Sequence, residues 1–551
     1  MHFALLVLFI LTSVDPASVD PQNLPHVNAV KGRIILSVTT CVTERRRPGE
    51  YDVSEAALER IALPIQGASD RRLSLTEVAG LSKSRRWKHY TDLEQLIKRL
   101  TTISSDLRQF PRPQRDEQLR QRLAPLEDKL PPLCYIPLCD SASPIREIVG
   151  FVISETFALS TFEKVPFMLL VKYVQHEELC SDPPLFIEPA EEVVGAPGDI
   201  ARVVSLEDFI QRASSTGGEA VLVSADDDAP TRTLADGFEN VTPGLQGASG
   251  EEAVMRRVFG EKWGDKTERI RRDCKRGSDP NWGLAACIVK ANDDLRQEQF
   301  AMQLIMLFQN VFVDAKLPRN SVRPYRILST SAGCGLIEVV TDSVSLATLK
   351  RKHPQYTDLL HFFIDAYGPP TSEGFKRAKA NFVESMAAYS VICYFLQIKD
   401  RHDGNILICR DGSIAHIDFG FMLGRVMPVN LEDGVPFKLT KEMHDLMFAD
   451  GISSNLGAGY MEFSAKCLKY FLAARNAAPQ FIHIVEMMQG VASLPCLAGG
   501  PKMVSDFKAK FMLDQPDKEC VNVFLGLVEQ ARQSWKTTIY DKFQQFLGVI
   551  Y

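Results

Sequence analysis

Between Asp92 and Leu130 apolar residues recur three and four apart: Leu93, Leu96, Ile97 and Leu100, then Leu119, Leu123, Leu126 and Leu130. That is the period of helices with one buried face, and Pro111 and Pro113 break it, so the pattern predicts two helices. The rhythm then changes. Ile148–Phe157 and Val165–Val174 are apolar runs of strand length, joined by 158–164, and predict a strand pair with a short loop of small and polar residues. Trp282–Lys290 reads as a buried strand, and the polar cap Asn292–Asp294 opens a helix to about Val313 with Leu295, Ala301, Leu304, Ile305 and Phe308 on one face. Tyr325–Thr330 and Gly335–Val340 predict two more strands that lead into Thr341–Ser345, and Phe375–Leu396, apolar on most sides, predicts a buried helix. From Tyr460 to Tyr551 helical patterns alternate with breaks at Pro479, Pro495, Gly499–Pro501 and Pro516. The last helix, about Gln530–Ile550, lines up Trp535, Ile539, Phe543, Phe546 and Leu547 beside Lys536 and Lys542, a face that suits either packing or a membrane interface.

Composition narrows the class. The 551 residues leave room for several structural units, and 45% hydrophobic with 24% charged is an ordinary globular balance. A net charge of −6 argues against a general nucleic-acid binder. Twelve cysteines are scattered without C-x-x-C pairs, which points to neither zinc nor a disulfide framework and suits a reducing cytosol. The stretch from about Gln175 to Glu252 is acidic and rich in Gly, Pro and Ser, and reads as a disordered insert with one short helix at Ala201–Arg212. The apolar run Phe3–Leu11 is too short to span a bilayer and lacks the basic flank of a signal peptide. Basic doublets follow it, among them Arg71-Arg72-Leu73-Ser74, a tetrapeptide too common to carry a function.

The chemistry concentrates in Gln397–Leu423, QIKDRHDGNILICRDGSIAHIDFGFML. Ile406–Cys409 and Ile414–Ile417 flank Asp411-Gly412, which predicts a tight hairpin. With those two residues as the turn, Asn405 falls opposite Asp418, two hard oxygen ligands for a magnesium ion carrying nucleotide phosphates. Just upstream, Asp400-Arg401-His402 puts a carboxylate, a cation and an imidazole on one loop, the parts for moving a proton off a hydroxyl. Further back, Lys290 closes a strand and Glu298 lies in the first turns of the next helix, an ammonium and a carboxylate that can fix one another beside phosphates.

D-R-H-x-x-N followed by D-F-G resembles the lipid-kinase branch of the kinase superfamily, the phosphoinositide 3- and 4-kinases. The blocks LEDKLPPLCYIPL, PNWGLAACIVKANDDLRQE, QIKDRHDGNIL, HIDFGFML, FKLTKEMHDLM and IVEMMQGVASLPC are most similar to the type III beta 4-kinases. The resemblance implies an α+β, two-lobed kinase-like fold, an antiparallel sheet plus helix and then a mostly helical lobe, preceded by a small helical region. The corresponding division is 1–91 as a partly disordered N-terminal region, 92–147 as the helical segment, 148–340 as the first lobe with its insert at about 175–252, and 341–551 as the second. It implies transfer of the γ-phosphate of ATP to the 4-hydroxyl of phosphatidylinositol, with Mg2+ or alternatively Mn2+, by a cytoplasmic enzyme peripheral on the Golgi or another endomembrane. Small GTPase or adaptor partners are implied too. By position, Lys290 meets the α/β-phosphates, Glu298 orients it, and Ser160 and Thr161 cover the phosphates. Glu338, Val339 and Val340 form the hinge that meets adenine, Asn405 and Asp418 hold the metal, and His402 with Asp400 takes the proton.

Two departures stand out. Position 403 is Asp where the family has Asn, an additional carboxylate beside the metal site, and the hinge lacks the proline of the beta form, which keeps a 3-kinase of the class III type in view. Phe421–Glu442, the segment that would receive the headgroup, carries Arg425 and Lys438 as its cations before Lys441, few enough to suit a headgroup without prior phosphates. The alternative outside enzymology is a catalytically weak scaffold for membrane traffic.

Overall fold

A computed structural model of the chain describes residues 83–131, 134–138, 145–159, 164–176, 250–425, 434–448, 457–491 and 494–534. The chain enters through α1 (Lys83–Asp106) and α2 (Arg115–Glu127), with two single 3-10 turns between them at the prolines. The first helix starts before Asp92, because its opening turns, KSRRWKHY, are too polar to show an apolar period. The predicted face is the buried one: Leu93, Leu96, Ile97, Leu100, Leu119, Leu123 and Leu126 pack on Phe167, Leu169, Val171, Cys287 and Val289, with Leu130 at the margin.

That layer lies on an antiparallel sheet. Its strands are β1 (Ile145–Phe151), β2 (Phe157–Ala158), β3 (Phe167–His176), then after α3 (Gly250–Phe259) and α4 (Trp263–Arg272) β4 (Trp282–Ala291) and, beyond α5 (Arg296–Asp314), β5 (Ile327–Ser331) and β6 (Cys334–Glu338). The spatial order is β1-β3-β4-β6-β5, with β2 also on β3. The single strand expected over Ile148–Phe157 is thus two pieces on one edge of β3, Phe151 opposite Val171 and Phe157 opposite Met168, and the extra residues bulge out as a 3-10 turn at Ile153–Glu155. Helix α1 and α2 side chains grip this edge: Ala158 N–H donates to Asp116 Oδ1 at 2.8 Å, and Ser104 Oγ donates to Val165 O at 2.9 Å while accepting from Ala291 N–H at 3.1 Å. The other side of the sheet meets α5, whose Leu295, Ala301, Leu304, Ile305 and Phe308 are buried as the spacing requires.

The chain then crosses by β7 (Ser343–Ser345) into α6 (Leu346–Lys352), α7 (Leu359–Tyr367) and α8 (Glu373–Leu396), the hairpin β8 (Ile406–Cys409) and β9 (Ile414–His416), and α9 (Lys441–Phe448) to α13: α10 (Gly457–Asn476), α11 (Ala478–Val491), α12 (Gly500–Ala509) and α13 (Asp517–Gln533). Helix α8 is the axis of this half. Ser372 caps it, every residue from Ser385 to Leu396 is buried, and Phe395 stacks on Phe471 and Phe511. Gln397 ends it in the left-handed conformation and releases the chain into the Lys399–Asn405 loop. Gln530 belongs to the last turn of α13, so no helix starts there, and Trp535 and its proposed face lie outside the described residues, as do Phe3–Leu11, Ala201–Arg212 and most of the acidic insert. Among the described residues no helix is long and apolar enough to cross a membrane.

Candidate active site

The hairpin is built one residue differently from the expectation. Ile406 pairs with His416 and Ile408 with Ile414, and Cys409 N–H donates to Ser413 O at 2.8 Å, so the turn holds Arg410, Asp411 and Gly412 rather than two residues. Gly412 takes φ +86°, and a Cβ there would meet the Ala378 carbonyl at 2.5 Å, so the third turn position requires glycine twice over. Asn405 therefore lies opposite Ile417, whose N–H donates to Asn405 O at 3.1 Å. Asp418 follows one residue later, turned by a φ of +59°.

What holds Asn405 and Asp418 at one end is Arg401. Its guanidinium is buried and donates to the carbonyls of Lys399 (3.0 Å), Ile417 (2.8 Å) and Asp418, with a longer contact to Asn405 O at 3.4 Å. This cation staples the loop to the DFG strand and is not aimed at a substrate. Gln297 of α5 adds a second brace: its Nε2 donates to Phe419 O and Gly420 O at 2.9 and 2.8 Å, and its Oε1 accepts from Cys496 N–H. Sequence reasoning passed over Gln297, since a helical glutamine carries no motif.

The Asn405 amide donates through Nδ2 to Asp400 O at 3.0 Å, which leaves its Oδ1 as an acceptor facing elsewhere. Asp418 is exposed, and its Oδ1 accepts from Gly420 N–H at 3.2 Å. One amide oxygen and one carboxylate are hard donors of the kind a small divalent cation takes together with phosphate oxygens. Asp400 also sits at positive φ (+63°), and backbone strain of this kind concentrates at functional sites. His402 is buried; its Nδ1 accepts from Gly404 N–H at 3.0 Å, and its Nε2 stands 3.8 Å from Asp400 Oδ1. Burial lowers its pKa, the Asp400 carboxylate only partly offsetting that, so the ring is neutral near pH 7 with its hydrogen on Nε2.

Lys290 reaches the same space from β4, but its partner differs from the expected one. Its ammonium pairs with Asp293 at 3.4 Å, while Glu298 accepts a hydrogen bond from the Tyr325 hydroxyl at 2.8 Å. Asp293 in turn accepts from Lys164 of the strand-connecting loop at 2.6 Å. Glu298 acts on Lys290 through charge: burial disfavours the ammonium, but Glu298, Asp293 and Asp418 outweigh it and its pKa ends above the ordinary lysine value. Burial raises the Glu298 pKa, Lys290 pulls it down, and repulsion from Asp418 helps keep it above the usual carboxylate range. Ser160 and Thr161 lie outside the described residues, although the loop that carries them is closed at its base by Leu159 N–H to Pro166 O at 2.8 Å. At the hinge Glu338 N–H donates to Arg326 O and Val339 N–H to Ala286 O, within the sheet. The Val340 carbonyl accepts from Ser343 Oγ at 2.6 Å, and its N–H is the hinge donor not used in the sheet among the described residues.

Asp403 faces away from the metal-ligand pair. Its carboxylate is buried between Lys350 Nζ (2.7 Å) and Lys438 Nζ (2.9 Å), which hold its pKa far below the usual carboxylate range against the effect of burial. The expectation of an additional carboxylate at the metal is thereby corrected, and so is the availability of Lys438, which is buried in this pair instead of facing a headgroup. Arg425, the other cation of the segment, is exposed and stacks over Phe421; residues 426–433 lie outside the described residues.

Comparison with known proteins agrees with this layout. Residues 285–495 match the family model of phosphatidylinositol 3- and 4-kinase. A phosphatidylinositol 4-kinase of Dictyostelium discoideum is 42% identical over 294 residues, 53% of this chain and 24% of the relative. Phosphatidylinositol 4-kinase beta 1 of Arabidopsis thaliana is 42% identical over 296 residues, covering 53% and 26%, and phosphatidylinositol 4-kinase beta of Xenopus laevis is 37% identical over 285 residues, covering 52% and 34%. The chain thus spans about a quarter to about a third of the length of these relatives.

Proposed function

We propose that this chain, whose residues 285–495 form a domain of the phosphatidylinositol 3- and 4-kinase family, transfers the γ-phosphate of ATP to the 4-hydroxyl of phosphatidylinositol. The observation that carries the reading is that Gln297 of α5 donates to Phe419 O and Gly420 O and so ties the segment bearing Asp418 to the sheet half, where the Asp418 charge acts on Lys290. An ammonium from the sheet half, with an exposed carboxylate and a proton acceptor from the helical half, is what in-line phosphoryl transfer needs, since its catalysis is mostly positioning and charge stabilisation. Lys290 binds the α- and β-phosphates, with Glu298 and Asp293 keeping it charged. Val340 N–H receives the adenine beside Glu338 and Val339, and Ser160 and Thr161 cover the phosphates. Asn405 and Asp418 would hold Mg2+, or Mn2+ in its place, which when bound neutralises charge on the phosphate oxygens.

The hydroxyl proton passes to the Asp400/His402 pair. Nδ1 of His402 is engaged by Gly404 N–H, so in this arrangement the imidazole presents Nε2–H towards Asp400; the Asp400 carboxylate takes the proton and His402 orients it. The relatives' names favour the 4-hydroxyl, and the few cations of Phe421–Glu442 favour an unphosphorylated headgroup. We place the enzyme in the cytoplasm, peripheral on a membrane such as the Golgi, with small GTPases or adaptors as partners. The test is to incubate the purified chain with labelled ATP, Mg2+ and phosphatidylinositol vesicles and to identify the product isomer by headgroup chromatography. Phosphatidylinositol 4-phosphate is expected; a 3-phosphate product would overturn the assignment, and no lipid product would favour the scaffold.

A further inference from the structure

The catalytic loop Asp400–Asn405 carries a second carboxylate with a separate set of partners. Asp403 Oδ2 accepts from Lys350 of α6 at 2.7 Å and Oδ1 from Lys438 at 2.9 Å, and its carbonyl accepts from Ala347 N–H at 3.1 Å. Lys350 also donates to Glu442 in the first turn of α9, and the Tyr356 hydroxyl donates to the other oxygen of the same Glu442. Two ammonium groups and two carboxylates therefore balance in a cluster whose Asp403 and Lys438 are buried. Its members come from the helix after the crossover strand, the catalytic loop, the segment after the DFG and the helix that follows that segment.

All these bonds converge where the chain returns after the post-DFG loop. The same stretch has two further ties: Lys399 Nζ donates to Val435 O at 2.7 Å, and Gln530 Nε2 donates to Gly434 O at 2.8 Å. Lys399, Asp403 and the Asp400/His402 pair share one short loop, so the landing point of residues 434–440 is measured from the catalytic loop itself. We infer that Asp403 is a positioning residue for the headgroup: through Lys438 it fixes the post-DFG segment against Asp400 and His402. This rests on the phosphotransferase reading above. Asparagine would keep the shape of Asp403 but remove the charge that both ammonium groups share, leaving them in a buried cluster with Glu442 as its remaining carboxylate. A buried ion pair broken on one side is costly, and the cost is relieved by moving Lys438, and the segment with it, outward.

The test uses the full chain as wild type, Asp403→Asn, Lys438→Met and the double variant. Lys438→Met cuts the tie to the segment while leaving Asp403 paired with Lys350, so it guards against a variant that fails to fold. Hydrogen exchange is followed in peptides covering 434–440 and, as a reference, in α8, and KM is measured separately for phosphatidylinositol and ATP. Each single variant is expected to speed exchange at 434–440 and to raise KM for the lipid, both on the order of tenfold, with the double variant no worse than the worse single. Exchange in α8 and KM for ATP should stay within about twofold. Unaltered exchange at 434–440 would overturn the inference, as would loss of protection spread equally over α8 with both KM values shifted together. If the wild-type chain phosphorylates no lipid, the functional reading falls and the exchange result alone decides the clamp.

Discussion

Two charge clusters flank the catalytic loop and are built on opposite principles. Around Lys290, carboxylates prevail: Asp293, Glu298 and Asp418 all act on one ammonium, Glu298 is held by a tyrosine hydroxyl instead of a cation, and Asp418 stands exposed. Around Asp403 the charges balance, each carboxylate oxygen has its own ammonium, and the pair with Lys438 is closed to solvent. An unbalanced, open cluster is electrostatically costly for the fold, and under the proposed function a cation and phosphates would balance it. The closed one gains its energy in the folded chain and needs no ligand. The two differ in what a deletion should do.

Asp418→Ala is the largest expected effect on turnover, a loss on the order of 10³-fold, because it removes the one ligand of the open cluster that carries charge to the metal. Its melting temperature should be equal to wild type or higher, since repulsion with Glu298 is relieved. A steady-state assay beside a thermal melt decides it: retained turnover would refute the metal role, and a large drop in stability would make the open cluster a structural one.

Asp403→Ala should reverse that balance. Unlike asparagine, whose amide oxygen still accepts from one ammonium, alanine leaves both ammonium groups without an acceptor at this position, and deleting one side of a buried pair in this way costs about 3–5 kcal/mol, read as a lower denaturant midpoint at unchanged slope. A variant as stable as wild type would show that Lys350 and Lys438 find other acceptors and that the cluster is not closed in the sense argued.

Much of the contrast was hidden in the sequence for physical reasons. The helices and strands were legible because burial imposes a period, as in Leu93–Leu100 or Leu295–Phe308. The hairpin register was not, because a two-residue and a three-residue turn share the same Asp411-Gly412, and the pattern does not tell that Cys409 pairs with Ser413. Lys290 and Glu298 are recognisable as chemistry, yet the ion pair to Asp293 depends on the chain reversing at Asn292, at φ +59°. Asp403 resisted reading for another reason: its partners Lys350 and Lys438 lie 53 and 35 positions away, beyond any local pattern. Arg401, legible only as the cation of the Asp400-Arg401-His402 loop, is a brace, because burial is invisible to a motif.

The smallest effect sharpens the comparison at the Glu298 end of the open cluster. Tyr325 is buried, its own ionisation is pushed well up by burial and by Glu298, and its hydroxyl supplies the hydrogen bond that Lys290 does not. Tyr325→Phe removes that donor together with the hydroxyl's hydrogen bond from the Asp418 backbone N–H. If Glu298 stays where it is, a partly buried carboxylate oxygen loses its bond, and the cost is about 1–3 kcal/mol. If the carboxylate instead swings to Lys290, the new ion pair offsets the loss, stability falls by less than about 1 kcal/mol, and KM for ATP changes because the ammonium is held differently. The open character of the cluster favours the second course, since Lys290 is already drawn towards Glu298 by charge. A urea titration together with KM for ATP separates the two, and a full loss of stability with KM for ATP unmoved would show that Tyr325, and not Lys290, is the partner Glu298 is built to have.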